Sequence, residues 1–210
     1  AQLHAEQLHR PACAAEAYEA VLRHRPGHVE AWRGLRRASE RLGDWHTFAR
    51  ALDGELSHDP KPVGPQRAAL LRRLAEVAWK RLGSTARASH ALAAALEAQP
   101  CDLESLRALE ELREAMEDWR GALDVYEREV ETLGDGDPER RQQVWLRVAQ
   151  LASGRTGDSE KALQAFDAAA AISPLAPPLG LRHAEAARRC DRPLAELLQL
   201  PRQQIGRAHV

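Results

Sequence analysis

Four arginines recur at matching places along the chain and are its best candidates for binding chemistry. These residues, here called the arginine row, are Arg33, Arg73, Arg107 and Arg147. The first and third are 74 positions apart, and so are the second and fourth. A guanidinium is a planar, permanently charged fork of donors whose geometry matches a carboxylate. The arginine row is therefore suited to an acidic ligand.

The arginine row also has a plain alternative. Of the 30 basic residues only three are lysine, so arginine is common throughout the chain. Duplication of a 74-residue block would reduce four coincidences to two. Carboxylates at Glu104, Glu111 and Glu114 could neutralise the arginines within the chain. A partner-binding row and an internally neutralised row therefore both remain open.

The sequence contains no arrangement of residues typical of an enzyme or a metal site. Its serines lack the surroundings of a catalytic nucleophile, and no glycine-rich phosphate loop follows a strand. The segment GDGDPE (134–139) lacks the oxygen-ligand spacing of a calcium loop. The nine histidines are scattered, and Cys13, Cys101 and Cys190 form no Cys-x-x-Cys pair. We therefore expect a protein that is not an enzyme, with no catalytic residue, metal or cofactor.

Composition argues against several further classes of protein. The net charge of −1 gives no electrostatic reason to bind nucleic acid or an anionic membrane. No apolar run approaches the roughly 18 residues that a bilayer-spanning helix needs. The widely separated cysteines, odd in number, argue against a disulfide framework and favour a reducing compartment. We accordingly predict a cytoplasmic location.

A repeated dipeptide reveals the elements that must position the arginines. Asp-Trp occurs at 44–45 and again at 118–119, and the same shift of 74 aligns apolar, glycine and proline positions over a whole block. Apolar residues in each half-block keep a 3.6-residue rhythm, which predicts two helices per half. Gly43 is expected to end one helix in the left-handed conformation, with the following Asp as the next cap. At the equivalent turn Glu117 replaces the glycine, which costs up to about 1 kcal/mol or imposes another geometry.

These features make the chain resemble the tetratricopeptide repeat (TPR), a helix–turn–helix unit of about 34 residues. Trp32-x2-Leu35, Gly43 and Pro60 match its pattern in one unit. The alanine and the larger residue four positions later recur as Ala14/Tyr18, Ala88/Leu92, Ala122/Tyr126 and Ala162/Phe166. The resemblance implies an all-α fold, a right-handed α-solenoid or superhelix of stacked antiparallel helix pairs. About six units would cover the chain, the first and last incomplete or degenerate, at about 1–26, 27–60, 66–100, 101–134, 138–174 and 177–205.

The resemblance also implies a function. In arrays of this family the position directly after the first signature slot faces the concave groove, where partner peptides lie. The chain would then be a non-catalytic protein–protein interaction scaffold that holds a protein or peptide, an acidic one included. Family members that clamp a C-terminal carboxylate carry Lys in this slot and Asn four residues later, a pattern absent here. The implied partner-binding residues are Arg33, Arg37, Arg73, Arg107, Arg147 and Arg182.

Three rival functions remain open. The first is a structural spacer within a longer array, with an internally neutralised groove that holds no ligand. The second is RNA binding, as in the half-repeat relatives of the family, against which the near-zero net charge argues. The third is enzymatic activity in a flanking domain outside this sequence. Residues 206–210, together with Ile205, are interpreted as a tail foreign to the fold. End units without caps would expose apolar faces, so we expect a tendency to self-associate.

Overall fold

The computed structural model describes residues 11–175 and 177–190, except for the side chains of 177 and 178. Within these ranges the chain forms helices and no strand. The tail predicted at 205–210 and parts of the first and last predicted units lie outside the described residues. None of the helices described is both long enough and apolar enough to cross a membrane. The helices are α1 (Pro11–His24), α2 (Val29–Leu42), α3 (Trp45–His58), α4 (Pro65–Lys80), α5 (Thr85–Ala98), α6 (Leu103–Ala115), α7 (Trp119–Leu133), α8 (Pro138–Leu151), α9 (Ser159–Ile172) and α10 (Pro177–Arg189).

The chain divides into two compact units, one ending at Leu112 and the other beginning at Arg113. In the first unit α1 packs on α2, α2 on α3, α3 on α4 and α4 on α5. In the second, α7 packs on α8, α8 on α9 and α9 on α10. Helices that pack on their neighbours along the chain are the arrangement of a helical solenoid. The predicted all-α solenoid is confirmed.

Small residues let consecutive helices approach closely at the predicted motif positions. Ala88 and Leu92 are buried on α5, as are Ala162 and Phe166 on α9. The α9 residues belong to the core of the second unit, together with Val148 of α8. An alanine leaves room for the facing helix, and the larger side chain one turn later fills the remaining gap. The alanine-containing element of the sequence therefore forms helix–helix contacts.

The two Asp-Trp turns share one geometry. Gly43 has a φ of 71°, and the side chain of Asp44 accepts a hydrogen bond at 3.1 Å from the backbone N–H three residues on. Asp118 caps α7 in the same way, also at 3.1 Å. Both predicted caps are confirmed. Glu117 keeps the left-handed conformation with a φ of 56°, so the second turn retains its geometry without the glycine.

The turns after α4 and α8 also match. A glycine with positive φ closes each of them, Gly83 at 65° and Gly157 at 72°. The residue after each glycine donates its backbone N–H to the carbonyl six residues earlier, at 2.7 and 2.9 Å. In the second copy the turn begins with a short π-helical segment, Ala152–Thr156. Equivalent side chains are thereby presented at the ends of α4 and α8.

Candidate functional site

Arg33, the first member of the arginine row, lies on α2 among carboxylates. Its Nε donates to Glu55 at 3.1 Å, its Nη1 donates to Glu30 at 2.8 Å, and its Nη2 contacts Asp59. Glu55 is 3% exposed and also accepts from Arg36 Nε at 2.8 Å. Desolvation lowers the pKa of Arg33, but the hydrogen bond to Glu55 and the nearby negative charges together raise it. Carboxylates of the protein itself therefore occupy this guanidinium.

Arg73 on α4 is paired with two carboxylates. Its Nη2 donates to Glu40 at 3.0 Å and its Nη1 donates to Glu76 at 2.7 Å. The guanidinium carbon lies 5.8 Å from the centroid of the Phe48 ring. The hydrogen bond to Glu76 is the main reason why the pKa of Arg73 is raised, since desolvation acts against it. Arg73 is therefore held from both sides within the first unit.

Arg147 on α8 binds Glu114 through two donors. Its Nε lies 2.8 Å and its Nη2 lies 2.5 Å from the two carboxylate oxygens, and the Tyr126 hydroxyl donates to Glu114 at 2.8 Å. The hydrogen bond from Arg147 lowers the pKa of Glu114, although partial burial acts to raise it. Arg147 and Glu114 follow Arg73 and Glu40 by 74 positions each. The same ion pair is therefore formed once in each unit.

The other predicted site residues, Arg37, Arg107 and Arg182, are exposed. Arg37 lies on α2 beside a shallow pocket that Tyr18 also lines, and no ion pair joins it to another described residue. Arg107 lies on α6 and has an interaction within the protein, and Arg182 lies on α10. Half of the predicted binding residues, those at 33, 73 and 147, thus have their guanidiniums engaged by carboxylates of the chain.

Two arginines outside the predicted set lie on the tryptophans of the Asp-Trp turns. The guanidinium carbon of Arg81 is 5.0 Å from the Trp45 ring centroid, and that of Arg155 is 4.8 Å from the Trp119 centroid. Both arginines are exposed, and no carboxylate of a described residue forms an ion pair with either. The sequence alone did not predict these contacts. Their signal was nevertheless present, because Arg81 and Arg155 are also 74 positions apart.

A cavity of about 200 Å³ opens in the first unit between α4, α5 and α6. Its lining is largely apolar and includes Trp79, Leu92 and Ala108. The exposed side chains of Lys80 and Glu111 border it, and the Lys80 ammonium lies 5.7 Å from the Trp79 ring centroid. An apolar cavity with a few charged groups at its edge is a common form of ligand site.

The described residues include neither a candidate metal site nor a disulfide. Over 11–175 and 177–190 no group of three or more His, Cys, Asp or Glu residues is placed to hold a metal ion. Cys13 and Cys101 are exposed, Cys190 is half-buried, and all three thiols are free. The cavity, the arginine row and the two Arg–Trp stacks are features of the described residues that can contact another molecule.

Comparison with known proteins depends on the structure, because no family model and no curated protein matches the sequence. The solved structure of YrrB, described as a TPR protein with an unusual peptide-binding site, matches with a TM-score of 0.50 at 19% identity, covering 86% of this chain and 86% of YrrB. The MamA protein matches with a TM-score of 0.50 at 18% identity, covering 76% of this chain and 80% of MamA. This chain has the fold of a TPR array.

Within this TPR-type array, departures from the family's sequence pattern coincide with ion pairs. The pattern has glycine after the first-helix leucine, whereas Arg36 and Glu76 occupy that position here. Arg36 donates to Glu55 from α2 to α3, and Glu76 accepts from Arg73 one helical turn away. The substituted positions therefore carry side chains that find partners inside the array.

Proposed function

We propose that this TPR-type array is a non-catalytic protein–protein interaction scaffold that holds an extended partner segment against the first helices of its units. The observation that carries the proposal is the cavity between α4, α5 and α6, with Trp79 in its lining and charged side chains at its edge. Its volume of about 200 Å³ has room for an apolar side chain of a partner. A TPR fold supports this choice, although it does not by itself define a ligand.

The cavity would anchor the partner, and polar contacts would set its direction. An apolar side chain would contact Trp79 and Leu92, because removing it from water stabilises the complex. Lys80 and Glu111 border the same opening and carry opposite charges, which would orient a segment that bears both signs.

The predicted arginines have unequal parts in this proposal. Arg33, Arg73 and Arg147 would have to release the carboxylates that they already bind before binding a partner, so we assign them a structural role. Arg37, Arg107 and Arg182 are exposed and remain proposed partner contacts. The three free cysteines favour a reducing compartment, for which we propose the cytoplasm.

A capture experiment with a matched pair of variants tests the scaffold function. Ala108→Leu places a larger side chain in the lining of the cavity, whereas Ala115→Leu makes the same change at an exposed position on the same helix. We expect a partner captured from lysate by the wild-type chain to be lost with Ala108→Leu and retained with Ala115→Leu. Retention by both variants would place binding elsewhere.

The spacer function is the second candidate, and one observation favours it. Arg33, Arg73 and Arg147 are neutralised within the protein, as a groove that holds no ligand would require. Under this alternative the wild-type chain would capture no partner at all. The same experiment therefore separates the two functions.

A further inference from the structure

Arg81 lies over an indole ring, and no carboxylate of a described residue forms an ion pair with its guanidinium. Its guanidinium carbon lies 5.0 Å from the Trp45 centroid, immediately after the end of α4. Trp45 also contacts Phe48 in an edge-on arrangement, with the ring centroids 5.9 Å apart. Stacking on an aromatic ring orients the plane of a guanidinium and leaves its edge donors free to bind in that plane.

The surroundings of Arg81 are rich in positive charge. The Arg81–Trp45 stack borders a cavity of about 280 Å³ that carries three cations and one carboxylate in its lining. That carboxylate, Glu76, is 2.7 Å from Arg73 and is therefore engaged. Lys80 and Arg81 form no ion pair with any residue that the structure describes. The lining consists of Trp45, Arg73, Glu76, Val77, Lys80 and Arg81.

An equivalent Arg–Trp stack occurs in the second unit. Arg155 lies 4.8 Å from the centroid of Trp119 in the second unit, and both residues are 74 positions after their counterparts. Gly154 and Gln150 stand where Lys80 and Glu76 stand in the first copy. The stack itself therefore recurs although two of its neighbours differ, which separates it from the general charge of the surface.

We propose that the two Arg–Trp stacks are carboxylate-binding anchors for an acidic segment of a protein partner. Each stack presents a preoriented fork of donors that matches a Glu or Asp side chain. Preorientation reduces the conformational entropy lost on binding. This inference rests on the proposed scaffold function and adds the chemical class of the partner and the residues that recognise it.

A protein carboxylate fits these stacks better than the phosphates of RNA. Binding of single-stranded nucleic acid uses open aromatic faces on which bases stack. The Trp45 ring is already covered by Arg81 on one side and contacted by Phe48.

A binding titration with a defined probe tests the inference on the full chain. The probe is a labelled glutamate-rich peptide, with a glutamine-substituted peptide and a single-stranded RNA of similar length beside it, followed by fluorescence anisotropy. The test variant is Arg81→Ala/Arg155→Ala, and its control is Arg41→Ala/Arg128→Ala. Arg41 precedes Gly43 by two residues as Arg81 precedes Gly83, and both control arginines are exposed. A third variant, Arg81→Lys/Arg155→Lys, keeps the charge and removes the planar fork.

We expect the glutamate peptide to bind the wild-type chain and to lose about tenfold in affinity with the test variant, as removal of a charge-assisted hydrogen bond predicts. The control variant should bind as the wild type does, and the lysine variant should fall between them. Equal weakening by test and control variants would reduce the effect to general charge and overturn the inference. So would absence of glutamate-peptide binding, or RNA binding that depends on Arg81 and Arg155.

The two proposals fail separately. If the glutamate peptide does not bind through Arg81 and Arg155, but a captured partner is still lost with Ala108→Leu, only the proposal of carboxylate-binding anchors is overturned. Capture that is insensitive to Ala108→Leu while the peptide depends on Arg81 and Arg155 would overturn only the assignment of the cavity. Circular dichroism of each variant ensures that equal helical structures are compared.

Discussion

Arg147 donates two hydrogen bonds to the carboxylate of Glu114, from Nε at 2.8 Å and from Nη2 at 2.5 Å, and the Tyr126 hydroxyl donates a third. Its counterpart in the first unit, Arg73 with Glu40, forms a single contact at 3.0 Å. Arg87 with Asp53 and Lys161 with Glu127 repeat a second ion pair over the same interval. Ion pairs that recur in both units therefore link the helices within each unit.

Removing the charge of Glu114 is expected to destabilise the fold modestly. In Glu114→Gln the charge-assisted bonds from Arg147 become neutral ones, and we expect a loss of about 1 kcal/mol in the free energy of unfolding. The estimate is small because the Arg147 side chain is 43% exposed and solvent screens the pair. Urea denaturation measures the change. Glu131→Gln, at an exposed position of α7, is the control and should stay within about 0.5 kcal/mol of the wild type.

The same pair predicts a dependence of stability on pH. Arg147 lowers the pKa of Glu114 below the value of about 4.3 expected in the unfolded chain. A carboxyl group whose folded pKa is depressed stabilises the fold above the unfolded pKa and loses that contribution as pH falls through the folded pKa. The difference between wild type and Glu114→Gln should therefore be full near neutral pH and shrink below about pH 4. A difference that stays constant over this range in urea titrations would contradict the assigned cause.

The position of Gly54 has no room for the methyl group of an alanine side chain. A Cβ at this buried position of α3 would lie 2.4 Å from the Trp32 ring, and the ring is tethered because Trp32 Nε1 donates to the Pro26 carbonyl at 2.6 Å. Gly54→Ala should therefore destabilise by about 1–3 kcal/mol through overpacking, although alanine favours helix.

A second helical glycine supplies the control for this substitution. A Cβ at Gly180 on α10 would meet nothing within 4 Å. Gly180→Ala should accordingly be neutral or stabilising by up to about 1 kcal/mol. Thermal unfolding of both variants would refute the packing argument if the two changes had the same effect.

Glu117 offers a position where glycine should improve the protein. Its φ of 56° lies in the left-handed region, where a side chain costs about 1–2 kcal/mol, partly offset by the greater freedom of glycine in the unfolded chain. Glu117→Gly should raise the free energy of unfolding by about 0.5–1 kcal/mol. The reciprocal change, Gly43→Glu at the equivalent turn, should lower it by a similar amount. Chemical denaturation of this pair tests the argument, and a loss of stability in Glu117→Gly would contradict it.

Local features of the fold could be read from the sequence, because each depends on a few adjacent residues. The caps at Asp44 and Asp118 and the left-handed Gly43 follow from turn chemistry alone. The buried alanines at 88 and 162 follow from their place in a repeated pattern. None of these required knowledge of distant contacts.

The ion-pair partners of the arginine row could not be predicted from adjacent residues alone. Two of the three carboxylates that bind Arg33 are distant in the sequence. Glu55 lies 22 residues away on the next helix, and Asp59 lies 26 residues away just after that helix. Of the acidic residues considered as internal partners, Glu114 does bind Arg147, whereas Glu104 contacts Arg72 outside the row. Pairing between helices depends on how one helix is placed against the next, which spacing along the chain does not specify.

The Arg–Trp stacks could not be predicted for another reason. The sequence shows that Arg81 and Arg155 are 74 positions apart, but it does not show that each lies over a tryptophan ring. Arg81 and Arg155 become significant when the ring beneath each is seen. An exposed residue that recurs at the repeat interval can therefore mark a shared structural contact even though it lies outside the core.

Glu55 has one more consequence, for the alignment of α2 with α3. Its buried carboxylate is bound from α2 by Arg33 at 3.1 Å and by Arg36 at 2.8 Å, one on each oxygen. Sliding α3 by a single turn, about 5.4 Å, would carry the carboxylate past both donors and leave a charge stranded in the interior. Such a charge costs several kcal/mol, far more than a shifted row of alanines and leucines would. Apolar contacts hold this hairpin together, and the carboxylate of Glu55 favours the native offset of its two helices over one shifted by a turn.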